Sequence, residues 1–174
     1  MNDDIRSWIV QMPKAEIHIH LEGSIGPATV LELAARYDKM DQLPGDTEEA
    51  IRDWMVFTGF PDFMGKYIFV ASLLRSSEDF QMITEACGKD MAEQGIRYRE
   101  ITFTPYLHTD LADKGLTIEA IVEGLEAGRL AARNQYGVEM RWVFDIPRNV
   151  SFIGGVDSYN PKPAELTLEY ALYA

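Results

Sequence analysis

Three short segments with strand-like patterns, each followed by a helical pattern, constrain the fold of this chain most. They are residues 15–21, 96–104 and 139–146, and they are enriched in β-branched or aromatic residues between bounding Gly and Pro residues. Strands that alternate with helices pair in parallel through right-handed crossovers. The sequence therefore predicts the α/β class, with about three βα units.

The charge and composition of the chain restrict its partners. Its 174 residues include 28 Asp and Glu against 16 Lys and Arg, which gives a formal net charge of -12. Because such a surface repels phosphate backbones and anionic headgroups, we expect binding neither to nucleic acid nor to membranes. The single cysteine, Cys87, excludes an intrachain disulfide. The first residues are acidic and lack the pattern of a signal peptide, so we expect a cytoplasmic protein.

Polar residues that can bind ligands or take part in catalysis fall at the carboxyl ends of the predicted strands, where ligand sites of βα arrays lie. The first segment ends in His18, His20 and Glu22, and the other two segments lead into His108 and Asp145. All three histidines of the chain therefore share one edge of the predicted sheet with two carboxylates.

The spacing of His18 and His20 suggests a metal site. Alternation along a strand places Glu16, His18, His20 and Glu22 on one face. Two imidazoles two residues apart can reach one cation, which satisfies ring nitrogens that are costly to bury without partners. The alternative is a pair of structural or surface histidines.

The later loops carry less specific patterns. His108 lies beyond its strand end and is interpreted as a solvated loop histidine. Asp145 can form an ion pair with Arg148 or contact a ligand, and the sequence leaves both open. Phosphate-binding Gly-rich loops, Gly-x-Ser-x-Gly elbows and Cys–His nucleophile arrangements are all absent from the sequence.

An aromatic cluster lies between the first two predicted strands, at Phe57, Phe60, Phe63, Tyr67 and Phe69. It either packs against the body of the protein or forms an apolar lid over a ligand pocket.

The residues around the first segment resemble a known family. Residues 12–24, MPKAEIHIHLEGS, closely resemble the opening motif of the adenosine deaminase family, a branch of the metal-dependent amidohydrolases. Residues 61–63 are similar to the family's lid helices and residues 98–105 to its second strand. Residues 103–106 and 142–147 resemble bacterial members that act on aminodeoxyfutalosine.

The resemblance implies a fold and an activity. The family fold is an eight-stranded (β/α) TIM barrel, which takes ~250 residues. Residues 1–174 are thus expected to be the N-terminal part of one barrel domain, with lid helices between its first two strands. The implied activity of the full-length protein is metal-dependent hydrolytic deamination of an aminopurine nucleoside, adenosine or aminodeoxyfutalosine.

The resemblance also implies site residues. His18 and His20 match the first two ligands of zinc or another divalent transition metal. His20 and Glu22 match positions that contact the nucleoside, where many members have Asp in place of Glu22, and Phe63 in the lid segment is a further substrate contact. The family's other ligands and its catalytic residues have no counterpart and are expected beyond residue 174. The chain alone is therefore expected to be inactive.

Two other functions stay open. One is a different metal-dependent amidohydrolase, such as a cyclic-amide hydrolase, that uses the same strand motif. The other is a non-catalytic half-barrel that acts as a homo-oligomer or with a complementing C-terminal half, because three strands leave two sheet edges unpaired.

Overall fold

The computed structural model describes residues 3–112, 114–155 and 157–174. Within these residues, three parallel strands form one sheet in the order β1-β2-β3. The strands are β1 (Lys14–His20), β2 (Ile96–Phe103) and β3 (Glu139–Phe144). The helices are α1 (Asp3–Gln11), α2 (Pro27–Arg36), α3 (Glu48–Met55), α4 (Phe60–Ser72), α5 (Ser77–Glu93), α6 (Ile118–Tyr136), α7 (Arg148–Ser151) and α8 (Lys162–Tyr173). The predicted α/β class and parallel pairing are confirmed.

Helix boundaries follow from local capping chemistry. The Ser76 hydroxyl accepts a hydrogen bond from the Asp79 backbone N–H, and the Asp79 carboxylate accepts one from the Ser76 N–H, so a capping box begins α5. The Thr117 side chain caps α6, and Gly137 ends that helix in the left-handed conformation. These caps come from residues at the helix ends themselves, so local sequence sets the boundaries of α5 and α6. The exposed helix α1 and the four-residue α7 lie outside the predicted βα pattern.

Asp79 also ties two helices together. Its buried carboxylate accepts hydrogen bonds from the Arg36 guanidinium and the Tyr37 hydroxyl, both at 2.5 Å, and from the Arg75 backbone N–H at 2.8 Å. Burial of a carboxylate is tolerated here because charged and polar donors surround it. The contact fixes the end of α2 against the start of α5.

The core lies between the sheet and the helices on one of its faces. Phe80, Ile83 and Met91 of α5 are buried with Ile101 and Phe103 of β2. Helices α5 and α6 pack closely because glycines on α6 face α5. A Cβ at Gly128 would lie 2.6 Å from both the Gln81 carbonyl oxygen and the Thr84 Cβ.

We expect Gly128→Ala to lower the free energy of unfolding by about 1–3 kcal/mol, because the added methyl group forces the two helices apart. Gly65→Ala in α4 is the matched control, since a Cβ there meets no atom within 4 Å. Removing a glycine from an open helix position should instead stabilise by up to ~1 kcal/mol. Urea denaturation measures the change in the free energy of unfolding for both variants. Equal changes in Gly128→Ala and Gly65→Ala would show that the close packing at Gly128 is not what matters.

The opposite face of the sheet is open, and both outer strands have one pairing partner each in the described part of the chain. Ile17 of β1 is 67% exposed and Val143 of β3 is 44% exposed. The structure therefore presents two sheet edges and apolar strand residues to solvent. None of the helices within the described ranges is long and apolar enough to cross a membrane.

Candidate metal and substrate site

A bulge in β1 sets the positions of the two neighbouring histidines. The register pairs Glu16 with Arg99 and Ile19 with Ile101, so Ile17 and His18 lie opposite a single residue of β2. His18 has φ 63°, in the left-handed region that few non-glycine residues adopt. Backbone strain of this kind is often found at functional sites.

The bulge makes one sequence prediction wrong. Glu16 does not share a face with His20, because the pairing of Glu16 with Arg99 puts it on the helix side of the sheet. Its carboxylate lies 2.6 Å from the Arg99 guanidinium, which also contacts Asp90 and Cys87 of α5. His20 pairs with Thr102 and lies on the open face.

The two imidazoles lie side by side and are free of other polar partners in the described ranges. Their ring centroids are 5.7 Å apart, with His18 exposed and His20 half-buried. Unpaired imidazole nitrogens next to each other fit the first two positions of a zinc site. The described residues contain no cluster of three or more His, Cys, Asp and Glu side chains that could hold a metal. This part of the chain thus offers two ligands.

Glu22 and His108 form a buried pair at the same edge of the sheet. The His108 Nε2 lies 3.0 Å from the Glu22 Oε1, and both side chains are fully buried. The Thr104 backbone N–H donates to the same oxygen at 3.4 Å. The interpretation of His108 as a solvated loop residue is wrong. A π-helical turn, Leu107–Leu111, carries its ring back under the sheet edge.

The electrostatics of the pair favour an ionised glutamate and a neutral histidine. Burial acts to raise the pKa of Glu22, but the hydrogen bonds from His108 and from the Thr104 backbone N–H outweigh it, and the pKa is lowered. Burial lowers the pKa of His108, against the opposing effect of the Glu22 carboxylate. Burial, and then the charge and the hydrogen-bonding interaction of the Glu22 carboxylate, raise the pKa of the Tyr67 hydroxyl.

A cavity of about 190 Å³ adjoins Glu22. Its wall includes Phe57, Phe63 and Tyr67, whose rings contact one another with centroids 5.3 and 5.9 Å apart. Phe63 is 36% exposed, while Phe69 packs against the core. The aromatic cluster therefore divides between the two predicted roles, because some of its rings line a pocket and another fills the core. His18 and His20 lie outside the residues that line this cavity.

Lys114 fastens the loop after the π-helical turn to the end of α4. Its ammonium donates to the Ala71 carbonyl at 2.7 Å and to the Leu74 carbonyl at 3.2 Å. Burial lowers its pKa to about 8. The contact holds the aromatic helix α4 against the loop that carries His108.

Asp145 follows β3 at the same edge. Its Oδ2 accepts a hydrogen bond from the Thr104 hydroxyl at 3.3 Å. Across the described ranges Asp145 forms no ion pair with Arg148, so the first of the two sequence interpretations is not supported. Asp145 is half-buried and lies near Tyr67, since its charge contributes to the raised pKa of that hydroxyl.

We expect His108 to make the protein sensitive to acid. Burial lowers its pKa below the ordinary value of 6.5, so in that interval the unfolded chain binds a proton that the folded chain does not. The free energy of unfolding therefore falls as the pH falls below 6.5, by at most about 1.4 kcal/mol per pH unit. Urea denaturation at pH 7 and pH 5 should show a larger loss for the unsubstituted chain than for His108→Leu. Equal losses would contradict this assignment.

Comparison with known sequences identifies the family. A sequence model described as adenosine deaminase matches residues 13–152, which is most of the chain. The chain belongs to the adenosine deaminase family.

The relatives of this chain include two kinds of deaminase. An aminodeoxyfutalosine deaminase from Streptomyces coelicolor is 40% identical over 144 residues, which are 83% of this chain and 36% of the relative. An adenine deaminase from Bordetella avium is 30% identical over 146 residues, 84% of this chain and 45% of the relative. The chain thus spans less than half the length of these relatives.

A solved structure supports the fold of this family member. An amidohydrolase from Burkholderia ambifaria, determined with bound zinc, superposes with a TM-score of 0.78 at 18% identity. The match covers 99% of this chain and 44% of that protein. The three βα units of this chain therefore have the fold of part of a (β/α) barrel.

Proposed function

We propose that this chain is the N-terminal part of a barrel enzyme that deaminates an aminopurine nucleoside by metal-dependent hydrolysis. The observation that carries the proposal is the juxtaposition of two partner-free imidazoles, His18 and His20, with the buried carboxylate of Glu22 at one sheet edge. The 40% identity to an aminodeoxyfutalosine deaminase supports an aminopurine nucleoside as substrate. The zinc bound by a structural neighbour supports zinc as the metal.

The metal would be held in this chain by His18 and His20. Zinc, when bound, activates water for hydrolysis near neutral pH. The strand bulge at His18 brings both rings together at the carboxyl edge of the sheet. Other ligands are required, because catalytic zinc generally has three protein ligands.

The substrate would lie between Glu22 and the aromatic rings of α4. Glu22 would accept a hydrogen bond from a ribose hydroxyl, and His20 would contact the nucleoside beside it. Phe63, with its neighbouring rings, would cover the purine and exclude water from the cavity that these residues line. Exclusion of water strengthens the polar contacts that orient the substrate.

A chimera tests the proposal. Residues 13–152 of this chain replace the aligned segment of the Streptomyces coelicolor aminodeoxyfutalosine deaminase. Ammonia release is measured with aminodeoxyfutalosine, adenosine and adenine. We expect turnover of at least one nucleoside above that of adenine. No turnover of any aminopurine, by a folded chimera that contains zinc, would refute the proposal.

The open sheet edges support an assembly proposal. Because β1 and β3 each have one strand partner in the described residues, either a complementing C-terminal half or a second copy of the chain would cover them. Sedimentation of the purified chain should therefore show association, and a compact monomer at all concentrations would contradict it. The acidic composition and single cysteine support a cytoplasmic location.

A further inference from the structure

The two oxygens of the Glu22 carboxylate have different surroundings. Oε1 faces the His108 Nε2 at 3.0 Å and the Thr104 backbone N–H at 3.4 Å. Oε2 is buried and has no hydrogen bond of standard geometry within the described ranges, and the Tyr67 hydroxyl lies close enough to the carboxylate for Glu22 to raise the pKa of Tyr67. Glu22 also lines the aromatic cavity, so its Oε2 is part of the pocket wall. An unpaired carboxylate oxygen in such a place is costly unless a ligand supplies a donor.

The partner of Oε1 is held rigidly by packing. The His108 ring stacks on Phe103, with centroids 5.6 Å apart and an angle of 8° between the planes. The Phe80 ring meets the same imidazole edge-on at 5.1 Å. Both phenylalanines are fully buried in the core between α5 and β2. The imidazole therefore has little freedom to turn away from Glu22.

The geometry of the pair indicates which nitrogen carries the proton. The Glu22 Oε1 accepts from the Thr104 backbone N–H, so it is an acceptor towards His108 as well, and the His108 Nε2 donates to it. A neutral imidazole then has its lone pair on Nδ1, and this atom is buried without a partner in the described part of the chain. In this hydrogen bond His108 is the donor and Glu22 is the acceptor.

We propose that His108 is a positioning residue, which occupies Oε1 of Glu22 and leaves Oε2 as the acceptor for a neutral donor of the ligand. This inference rests on the proposed function, because the donor is taken to be a sugar hydroxyl of an aminopurine nucleoside. Without the His108 contact the carboxylate could rotate, and either oxygen could turn away from the ligand. His108 thus acts through Glu22 and touches no reacting atom.

The contact between His108 and Glu22 affects which substrates the pocket accepts. A buried acceptor that is built to receive a hydroxyl discriminates against an analogue that lacks it, because the acceptor is then left unpaired. Adenine has no sugar hydroxyl to donate. The contact between His108 and Glu22 should therefore favour nucleosides over the free base.

The first test uses the chain itself and needs no activity. With ¹⁵N-labelled histidine, only three imidazoles contribute signals. We expect one neutral ring with its proton on Nε2, which disappears in His108→Gln and whose Nε2–H signal shifts in Glu22→Gln. A His108 ring with its proton on Nδ1, or a signal unaffected by Glu22→Gln, would overturn the proposal.

The second test uses the chimera and compares two substitutions. His108→Leu removes the donor, whereas His108→Gln places an amide N–H near the position of Nε2. We expect His108→Leu to raise KM for the nucleoside by about 10–100-fold, with a smaller effect on kcat, as loss of an orienting partner does. We expect His108→Gln to restore a KM near that of the unsubstituted chimera. The control is Leu111→Ala, which changes a 47% exposed residue of the same turn.

The outcomes separate positioning from a structural role. Positioning predicts that KM for adenine stays unchanged in His108→Leu while KM for the nucleoside rises. Equal losses with both substrates and with both substitutions, in step with a lower melting temperature, would overturn it. A chimera that deaminates no aminopurine refutes the proposed function, and the tautomer measured in the chain still decides whether His108 donates to Glu22.

Discussion

The purified 174-residue chain, supplied with zinc, is expected to release ammonia from aminopurines at least about 10³-fold more slowly than the chimera does. Among the residues that the structure describes, no cluster of three metal-binding side chains exists. His18 and His20 lie side by side, and in the described ranges no third candidate ligand accompanies them there. We expect the general acid–base group to lie beyond residue 174, and hydrolysis without such a group is slower by about 10²–10⁴-fold. The open face of the sheet also leaves the substrate without an opposite wall, so orientation is lost.

The measurement compares ammonia release by equal molar amounts of the chain and the chimera. The control adds the C-terminal segment of the Streptomyces coelicolor relative in trans, which should restore part of the activity if it covers the open edges of β1 and β3. A rate for the chain alone that is comparable to the rate of the chimera would show that the assignment of missing groups is wrong.

The sequence predicted the fold well where local signals act alone. The strands are bounded by Gly and Pro residues, and the caps Ser76 and Thr117 satisfy backbone groups within their own helix turns. Parallel pairing followed from the alternation of strands and helices. These features depend on neighbours a few residues away, which a single sequence displays.

The sequence could not predict the bulge at His18. Alternation assumes an unbroken period of two, but one extra residue in β1 relative to β2 reverses the faces of the residues before it. The left-handed backbone at His18 is locally unfavourable. Strand pairing on either side of it, of Arg99 with Glu16 and of Ile101 with Ile19, stabilises that conformation through long-range contacts. Only the assembled sheet shows which face each side chain takes.

The burial of His108 also depends on distant residues. Its partner Glu22 is 86 positions away in sequence, and Phe80, which packs against its ring, belongs to a different helix. A histidine after a strand end usually lies in solvent, so its position alone favoured the wrong interpretation. One signal could have found it, because Glu22 and His108 follow adjacent parallel strands and so end at the same sheet edge.

Loss of either candidate metal ligand is the other change with a large expected effect. In the chimera, we expect His18→Ala or His20→Ala to reduce bound zinc from near one equivalent and to lower kcat/KM by at least about 10²-fold, because each ligand adds affinity and fixes geometry. The double substitution should cost little more than either single one, since residues that act as a unit are not additive.

Ile17→Thr is the matched control for these substitutions. Ile17 lies next to His18 in the bulge, its side chain is 67% exposed, and threonine keeps the β-branched shape that suits a strand. Zinc content by elemental analysis and kcat/KM are measured for all variants, together with rescue by excess zinc. If excess zinc restores the activity of His18→Ala but not that of His20→Ala, His18 contributes mainly to zinc affinity, whereas His20 also contacts the nucleoside. Full zinc occupancy and unchanged activity in both single variants would remove these histidines from the metal site and place the ligands elsewhere in the barrel.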